Sequence, residues 1–416
     1  MKRASWTVIA LTILFLLTIA VQARTFSVIH TFTGGLDGAY PNGLTIDRAG
    51  NLYGTAGEGG NSGYGTVFKL SHKGSGWVFS PLYSFQGGND GQEPAAGVTI
   101  GSNGSLYGTT MHGGGIRGCY YLLDTCGTVF NLRPSASACK TAFCFWNETV
   151  LYIFDGSNGA YPSSAVIFDP MGNMYFNTEG DSYLVPPAII ELTPSNGSWN
   201  ETLNYQFIPY INGPNGGLVL DTTGNLYGVA GGGTYGYGTV FELITSDSGW
   251  TENILYNFQG GSDGSGPTGG VIFDPSGNLY GATASGGSDG NGCAGLGCGT
   301  AFELTPSSGG QWTESIIYSF TGGAAAYYYG PYASLTMDAA GNLYGTTISD
   351  GPYGFGTAFK LTPSYFGWIY SDLHDFTGGS DGAYPSSSLI FDANGNLYGT
   401  TDGGGTGDGV VFEITP

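Results

Sequence analysis

Four carboxylates recur in one sequence setting. The loop motif GGxDGxYP carries Asp37, Asp90, Asp263 and Asp381 a few residues ahead of a proline, with Asn158 at the matching place in another copy. Tyr40, Tyr161 and Tyr384 stand directly before three of those prolines. Carboxylates gathered on one face can accept sugar hydroxyls or hold Ca²⁺, which prefers oxygen ligands. Tyrosine adds an apolar ring with a polar tip. Turn chemistry also accounts for the same residues, because Asp-Gly makes a turn and proline suits a strand entry. No single loop holds enough ligands for a calcium cage, and none reads D-x-[DN]-x-[DN]-G-x₅-E. The case for Ca²⁺ is therefore slight, and no other cofactor is indicated.

Two further candidates lie in Gly-rich loops. The segment GGGIRGCYYLLDTC (113–126) breaks its polar pattern with Tyr120, Tyr121 and two leucines, which fits a recognition loop or a loop that packs on itself. Of four histidines, only His112 falls in a loop of the same set; His30 and His374 occupy a strand position where other copies have Tyr, and a lone histidine makes a poor catalyst without a placed partner. No H-E-x-x-H or phosphate-cradling loop is present. A glycosidase needs two carboxylates in distinct roles, whereas these recur at equivalent places.

Six cysteines fall into three local pairs: Cys119 with Cys126, Cys139 with Cys144, and Cys293 with Cys298. None has C-x-x-C spacing and none has a His close by in sequence. Disulfides in an exported chain are the expectation, and zinc is disfavoured. The N-terminus agrees. Lys2 and Arg3 precede an apolar run over 6–21 and a Val-Gln-Ala site, so residues 1–23 read as a signal peptide, with an uncleaved anchor as the alternative. No second run of spanning length follows, so the mature form is expected to be soluble and extracytoplasmic. Its formal charge moves from −21 to −23 once Lys2 and Arg3 are removed. With few and scattered basic residues, nucleic acid and anionic membrane surfaces are poor candidate partners, and none is expected.

The elements that position these loops follow from repetition. The tyrosine of a GNLYG-like segment falls at residues 53, 107, 175, 227, 280, 344 and 398, a period of about 53 with two longer units. Each unit holds four strand-like runs: an apolar run ending in Asp (Gly101 in the second unit), the GNLYG run, a GTVFEL run (238–243 in the fourth) and a WTENILYNF run (250–258). Asp-x-x-Gly-Asn between the first two is turn chemistry. The closing Phe follows a Trp by eight residues in six units; the seventh copy, RTFSVIHTF, opens the mature chain with Arg24 in place of Trp. The mature chain thus begins with a fourth run and ends with a third, VVFEITP. That offset predicts an all-β, seven-bladed β-propeller over 24–416, four antiparallel strands per blade, closed by the N-terminal strand joining the C-terminal blade. An open β-solenoid is the runner-up and has no use for the offset. The repeated aromatics are expected to fill the space between blades.

The repeat YSFTGGxDGxYP…LxxDxxGNLYGTT…GGxxGxGTVFELTP resembles the GloVer-type, or choice-of-anchor, tandem repeats of bacterial secreted proteins, along essentially the whole mature chain. The resemblance implies an extracytoplasmic propeller-like protein and no particular activity. In a propeller the fourth-to-first and second-to-third loops share a face. A monomeric, non-enzymatic protein that binds a glycan or an extracellular protein through that face is the leading expectation. A secreted carbohydrate-active hydrolase or lyase is the alternative, and a structural envelope protein the third.

Overall fold

The computed structural model describes residues 24–115, 117–119, 124–134, 146–181, 185–207, 213–246, 249–287, 293–322 and 330–415. The signal-like segment 1–23, Tyr120 and Tyr121 lie outside the described residues. Cys139 and Cys144 also lie outside them, and with them the bond expected between that pair.

Each blade is a four-stranded antiparallel meander. Blade 4 shows the pattern: Pro214–Leu220, Leu226–Ala230, Thr239–Ser246 and Gly249–Asn257 pair in chain order. Blades 1 to 6 run over 39–84, 99–153, 167–206, 214–257, 265–319 and 336–375. In blade 7, Ile390–Phe391, Leu397–Thr401 and Val410–Thr415 are completed by Thr25–Thr31 at the outer edge. That N-terminal strand pairs antiparallel with the last one, Ser27 opposite Glu413 and Thr31 opposite Val410, so the ring is closed as the offset frame predicts.

The first hairpin is shaped by its aspartate. Asp47 Oδ1 accepts the amides of Ala49 and Asn51, and its Oδ2 accepts the Asn51 side chain and the Tyr53 hydroxyl. The same Asp–Asn–Tyr set recurs at Asp338, Asn342 and Tyr344. The tyrosine hydroxyl also donates to a third-strand glutamate in four blades, as in Tyr227 to Glu242 at 2.7 Å. In blades 1 and 6 a lysine replaces that glutamate and lies over the ring instead, Lys69 on Tyr53 and Lys360 on Tyr344.

Packing sits between blades, one cluster per interface. Between blades 1 and 2, Tyr53, Val67 and Phe85 meet Leu106, Phe130 and Leu132. The fourth-strand closing phenylalanine is fully buried in six of seven blades and, except at Phe154, meets the third-strand phenylalanine of the next blade edge-on, as in Phe258 on Phe302 at 5.2 Å. The repeated Tyr packs edge-on against the Trp of the following blade, Tyr53 on Trp146 and, across the closure, Tyr398 on Trp77. The aromatics are core, as expected. Arg24 fills the seventh Trp place and donates to the Asp372 carbonyl at 2.7 Å.

Third-strand phenylalanines need a glycine opposite. A Cβ on Gly281 would lie 2.5 Å from the tip of the Phe302 ring, its partner in register. Blade 3 inverts the pair: Phe176 takes the glycine place and Ile190 the phenylalanine place, again opposite each other. The aromatic volume is kept and its strand of origin changes.

Candidate functional site

The innermost strands surround a channel of about 1150 Å³. Every blade contributes a small residue two positions after its repeated proline: Gly43, Ala96, Ser164, Gly216, Gly269, Ala333 and Ser387. Size is limited because neighbouring backbones touch here. A Cβ on Gly216 would fall 2.4 Å from the Gly269 carbonyl carbon. Side chains tie the ring together, as with Asn42 Nδ2 to the Pro94 carbonyl at 2.6 Å and Thr109 to the Ser164 carbonyl at 3.1 Å.

The four loop aspartates are engaged in their own turns. Asp37, Asp90, Asp263 and Asp381 accept the amides of Thr33, Gln86, Gln259 and Thr377, at 3.1, 2.8, 2.8 and 2.9 Å. Each also meets an aromatic of the strand it has just left: His30 at 3.3 Å, Tyr83 at 2.9 Å, Tyr256 at 3.1 Å and His374 at 3.1 Å. Burial raises the Asp381 carboxyl, yet the bonds from Thr377 and His374 outweigh it and leave it below the ordinary range. Burial also lowers both imidazoles against the pull of their aspartates. The two histidines stack on Phe79 and Phe26 of the following blade, which makes them packing residues.

The residues before the prolines behave differently. Tyr40, Glu93, Tyr161 and Tyr384 all adopt left-handed backbone, with φ of 55°, 55°, 57° and 58°. Non-glycine residues persist there only when surroundings hold them, and such strain gathers at functional sites. Here the holding contact is a donated amide to the preceding blade: Tyr40 to the Asp408 carbonyl, Glu93 to Tyr64, Tyr161 to Cys126 and Tyr384 to Phe355. Tyr40 and Tyr384 are exposed, at 44% and 41%, as is Tyr332, at 48%, beside the channel. Tyr64, Tyr235, Tyr237 and Tyr353 are exposed on second-to-third loops of the same face.

One part of the mouth is not repeated. Between blades 2 and 3, His112 Nε2 lies 3.4 Å from Glu93, and its ring meets Tyr161 edge-on at 5.1 Å. Glu179 opens into the channel beside them. Burial among its other neighbours pushes its carboxyl up, opposed by a bond from the Ser163 hydroxyl and by the charge of His112. Asp181, 3% exposed, lines the same wall. Further round the channel, the Ser386 hydroxyl donates to Asp402 at 2.5 Å, and burial raises Asp402.

A disulfide braces this corner. Cys119 and Cys126 are bonded and fully buried. The Cys126 carbonyl holds the Tyr161 amide, while Thr125 holds the Gly113 amide at 2.7 Å and places its carbonyl 3.5 Å from His112 Nδ1. The second described disulfide, Cys293–Cys298, packs at the interface of blades 5 and 6. Of the three bonds expected from the sequence, these are the two that the described residues contain; the third, between Cys139 and Cys144, falls outside them. Sequence reasoning found His112, Tyr161 and these two disulfides and missed Glu93, Ser163, Glu179, Asp181 and Asp402. A signal existed: four residues past the repeated Tyr, most units carry Gly, Ala, Met or Ile, but blades 3 and 7 carry Glu179 and Asp402. Among the described residues no group of three or more His, Cys, Asp and Glu is placed to hold a metal ion.

A closed ring of repeated blades with a loop face and a central channel defines a β-propeller of the tandem-repeat class. The chain belongs to the Gloeobacter/Verrucomicrobia repeat family, whose model matches residues 13–182, 123–296 and 294–416. Among solved structures, a protein from Lactobacillus plantarum is similar at 14% identity, covering 88% of this chain and 99% of its own, with a TM-score of 0.56. A candidate 6-phosphogluconolactonase from Bacteroides uniformis is similar at 13% identity over 83% of this chain and 87% of its own, with a TM-score of 0.51. At these identities the likeness is one of fold. No curated protein sequence matches the chain.

Proposed function

We propose that this chain is an exported, non-enzymatic propeller that binds a glycan at the channel mouth through its loop face. The observation that carries this reading is the placement of exposed tyrosines. Tyr332 stands open beside a channel lined largely by small and hydroxyl side chains, and Tyr40 and Tyr384 stand open on the loop face, together with the tyrosines of the second-to-third loops. Aromatic faces over a polar pocket suit sugar rings, which present apolar C–H faces and hydroxyl edges. The loop aspartates shape the platform on which those tyrosines stand. Export is supported by two buried disulfides. No helix among the described residues is long and apolar enough to cross a membrane. Among the described residues the channel lining holds no lysine or arginine, so a phosphorylated sugar lactone of the kind named for the Bacteroides protein would find no such cation among them.

A carbohydrate-active hydrolase or lyase is the second reading. It is favoured by one observation, the unrepeated set of Glu93, His112, Tyr161 and Glu179, since an enzyme needs a single asymmetric group of acids and bases. A glycan array with and without Ca²⁺, run beside a turnover screen on the same polysaccharides, tests both. Binding without turnover supports the first reading and turnover the second. No binding to any glycan sinks the first.

A further inference from the structure

The end of the propeller away from the loop face is built from the turns that join strands one to two and three to four. One of those turns breaks the repeat. In blade 6, Tyr365 and Phe366 form the tip between Thr357–Ser364 and Gly367–Asp375. They are 95% and 94% exposed, more than any other large apolar side chain among the described residues, and their rings meet edge-on at 5.1 Å. The turn needs no aromatic. Ser364 Oγ donates to the Gly367 carbonyl at 2.6 Å, and Gly367 supplies the positive φ, 113°. The matching turns of blades 1, 3 and 5 carry Lys73, Asn196 and Ser308.

The apolar surface extends beside the entry of the N-terminal strand. Ile369, next to Trp368, and Val78, next to Trp77, are exposed, where the five other copies carry Asn or Thr. Blades 6 and 1 flank blade 7, which the N-terminal strand completes. Arg24 takes the place in blade 7 that Trp368 takes in blade 6, two residues past Phe366, and its side chain reaches blade 6 at the Asp372 carbonyl. The apolar run over 6–21 ends three residues ahead of Arg24, and three residues span at most about 10 Å. A bilayer entered by that run therefore meets this end of the ring, at the level of the aromatic tip and one blade away. Exposed Arg24, Arg48 and Lys73 stand on the same end, in blades 7 and 1, and can meet headgroup phosphates. The net charge of −21 disfavours an anionic surface. A protruding pair of rings buries little area against a flat protein face. At a lipid headgroup boundary it gains an apolar setting for both rings while the tyrosine hydroxyl stays hydrated.

We propose that the turn end of the propeller docks on a zwitterionic lipid surface, with Tyr365 and Phe366 inserted at the headgroup boundary and the loop face turned away from the membrane.

Flotation of the chain from residue 24 with phosphatidylcholine vesicles at millimolar lipid tests this; the described ring starts there, so this form keeps every blade. The parent chain is expected to float with the vesicles. Y365S/F366S should lower the bound fraction at least fivefold with an unchanged melting point, since neither ring is buried. Y353S, which removes an exposed tyrosine from the loop face, should leave the bound fraction unchanged. Equal flotation of the parent and Y365S/F366S overturns the proposal, and so does an equal loss in Y353S. A parent chain that does not float also overturns it, and assigns the tip to an apolar pocket on another protein.

Discussion

The imidazole of His374 lies flat on the ring of Phe26, with centroids 3.6 Å apart and planes within 8°. One residue ends the outer strand of blade 6; the other sits on the N-terminal strand that completes blade 7. The same two positions meet at every interface, and their chemistry varies as a pair. His30 stacks on Phe79, Tyr318 stacks on Tyr370, and Tyr152 and Tyr205 donate to Glu201 and Glu252. The stack therefore acts as a latch on ring closure. Phe26→Ala should cost about 2 kcal/mol, less than a fully buried Phe→Ala because this ring is only half-buried. A double-mutant cycle with His374→Ala should give a coupling of about 0.5–1.5 kcal/mol. Deleting 24–31 should go further and leave an open, aggregating ring, read by light scattering. A monomeric truncated protein with unchanged melting would refute the latch.

Four of those interfaces hold a glutamate instead of a stack, and in two of them it stands against a loop aspartate as well. Tyr83 donates to Asp90, and Glu148 of the next blade stands against them; Tyr256, Asp263 and Glu314 repeat the arrangement. Burial, with the neighbouring aspartate, pushes Glu148 and Glu314 up to about 7. A carboxyl raised on folding stabilises fully below its unfolded pKa, and that contribution fades as pH rises through the folded value. The hairpin aspartates Asp47, Asp221, Asp338 and Asp392 are lowered instead: burial would raise them, but their turn bonds outweigh it. Their contribution is lost as pH falls below the ordinary Asp range. The melting temperature should therefore peak on the acid side of neutrality, at about pH 4–6, and decline towards pH 8. In E148Q/E314Q the fall between pH 5 and pH 8 should shrink, mainly through a higher melting point at pH 8. An unaltered pH profile in that variant would discard the account.

Much of this was legible in the chain. Seven tyrosines at a near-constant period placed seven blades, and the copy at Thr25–Thr31 placed the closure, because a backbone that repeats must repeat its turn and packing residues. The mouth was harder to see for the same reason. Glu93, His112, Tyr161 and Glu179 come from different positions of different repeats, and aligning repeats to find blades discards the departures from the pattern. The small innermost residues were also opaque, since nothing local demands glycine at 216 or 269; the demand comes from the neighbouring backbone.

Blade 3 predicts a rescue elsewhere. Gly281→Phe should destabilise by several kcal/mol, because even a Cβ there would sit 2.5 Å from Phe302. Phe302→Ile alone should cost about 1–3 kcal/mol by leaving a cavity. Combined, they copy Phe176 opposite Ile190 and should recover to within about 1 kcal/mol of the starting protein. Chemical denaturation of the four proteins measures this. Additive losses would mean that the inverted pair in blade 3 depends on its own surroundings.

The loop aspartates and the tyrosines beside them should separate cleanly. Asp381→Ala removes bonds to Thr377 and His374 and should lower stability by about 1–2 kcal/mol, with little change in glycan affinity. Tyr40→Ala and Tyr384→Ala should show the reverse, near-unchanged melting and weakened binding. If Asp381→Ala abolishes binding while the fold melts normally, the carboxylate is a ligand contact and the platform role assigned to it is wrong.

The two described disulfides close loops of similar length, with separations of 7 and 5 residues, so chain entropy alone assigns each a stabilisation of about 2 kcal/mol. Their neighbours differ. Cys126 holds the amide of Tyr161 and Thr125 lies against His112, whereas Cys293 and Cys298 pack on Tyr280 and Phe320 at an interface away from that corner. C119S/C126S should therefore lower both the melting point and the affinity for glycan, because the left-handed turn at Tyr161 loses its anchor. C293S/C298S should lower the melting point by a similar amount and leave that affinity unchanged. Parallel thermal melts and titrations of the two variants decide the matter: equal losses of affinity would show that the disulfides act on binding only through overall stability.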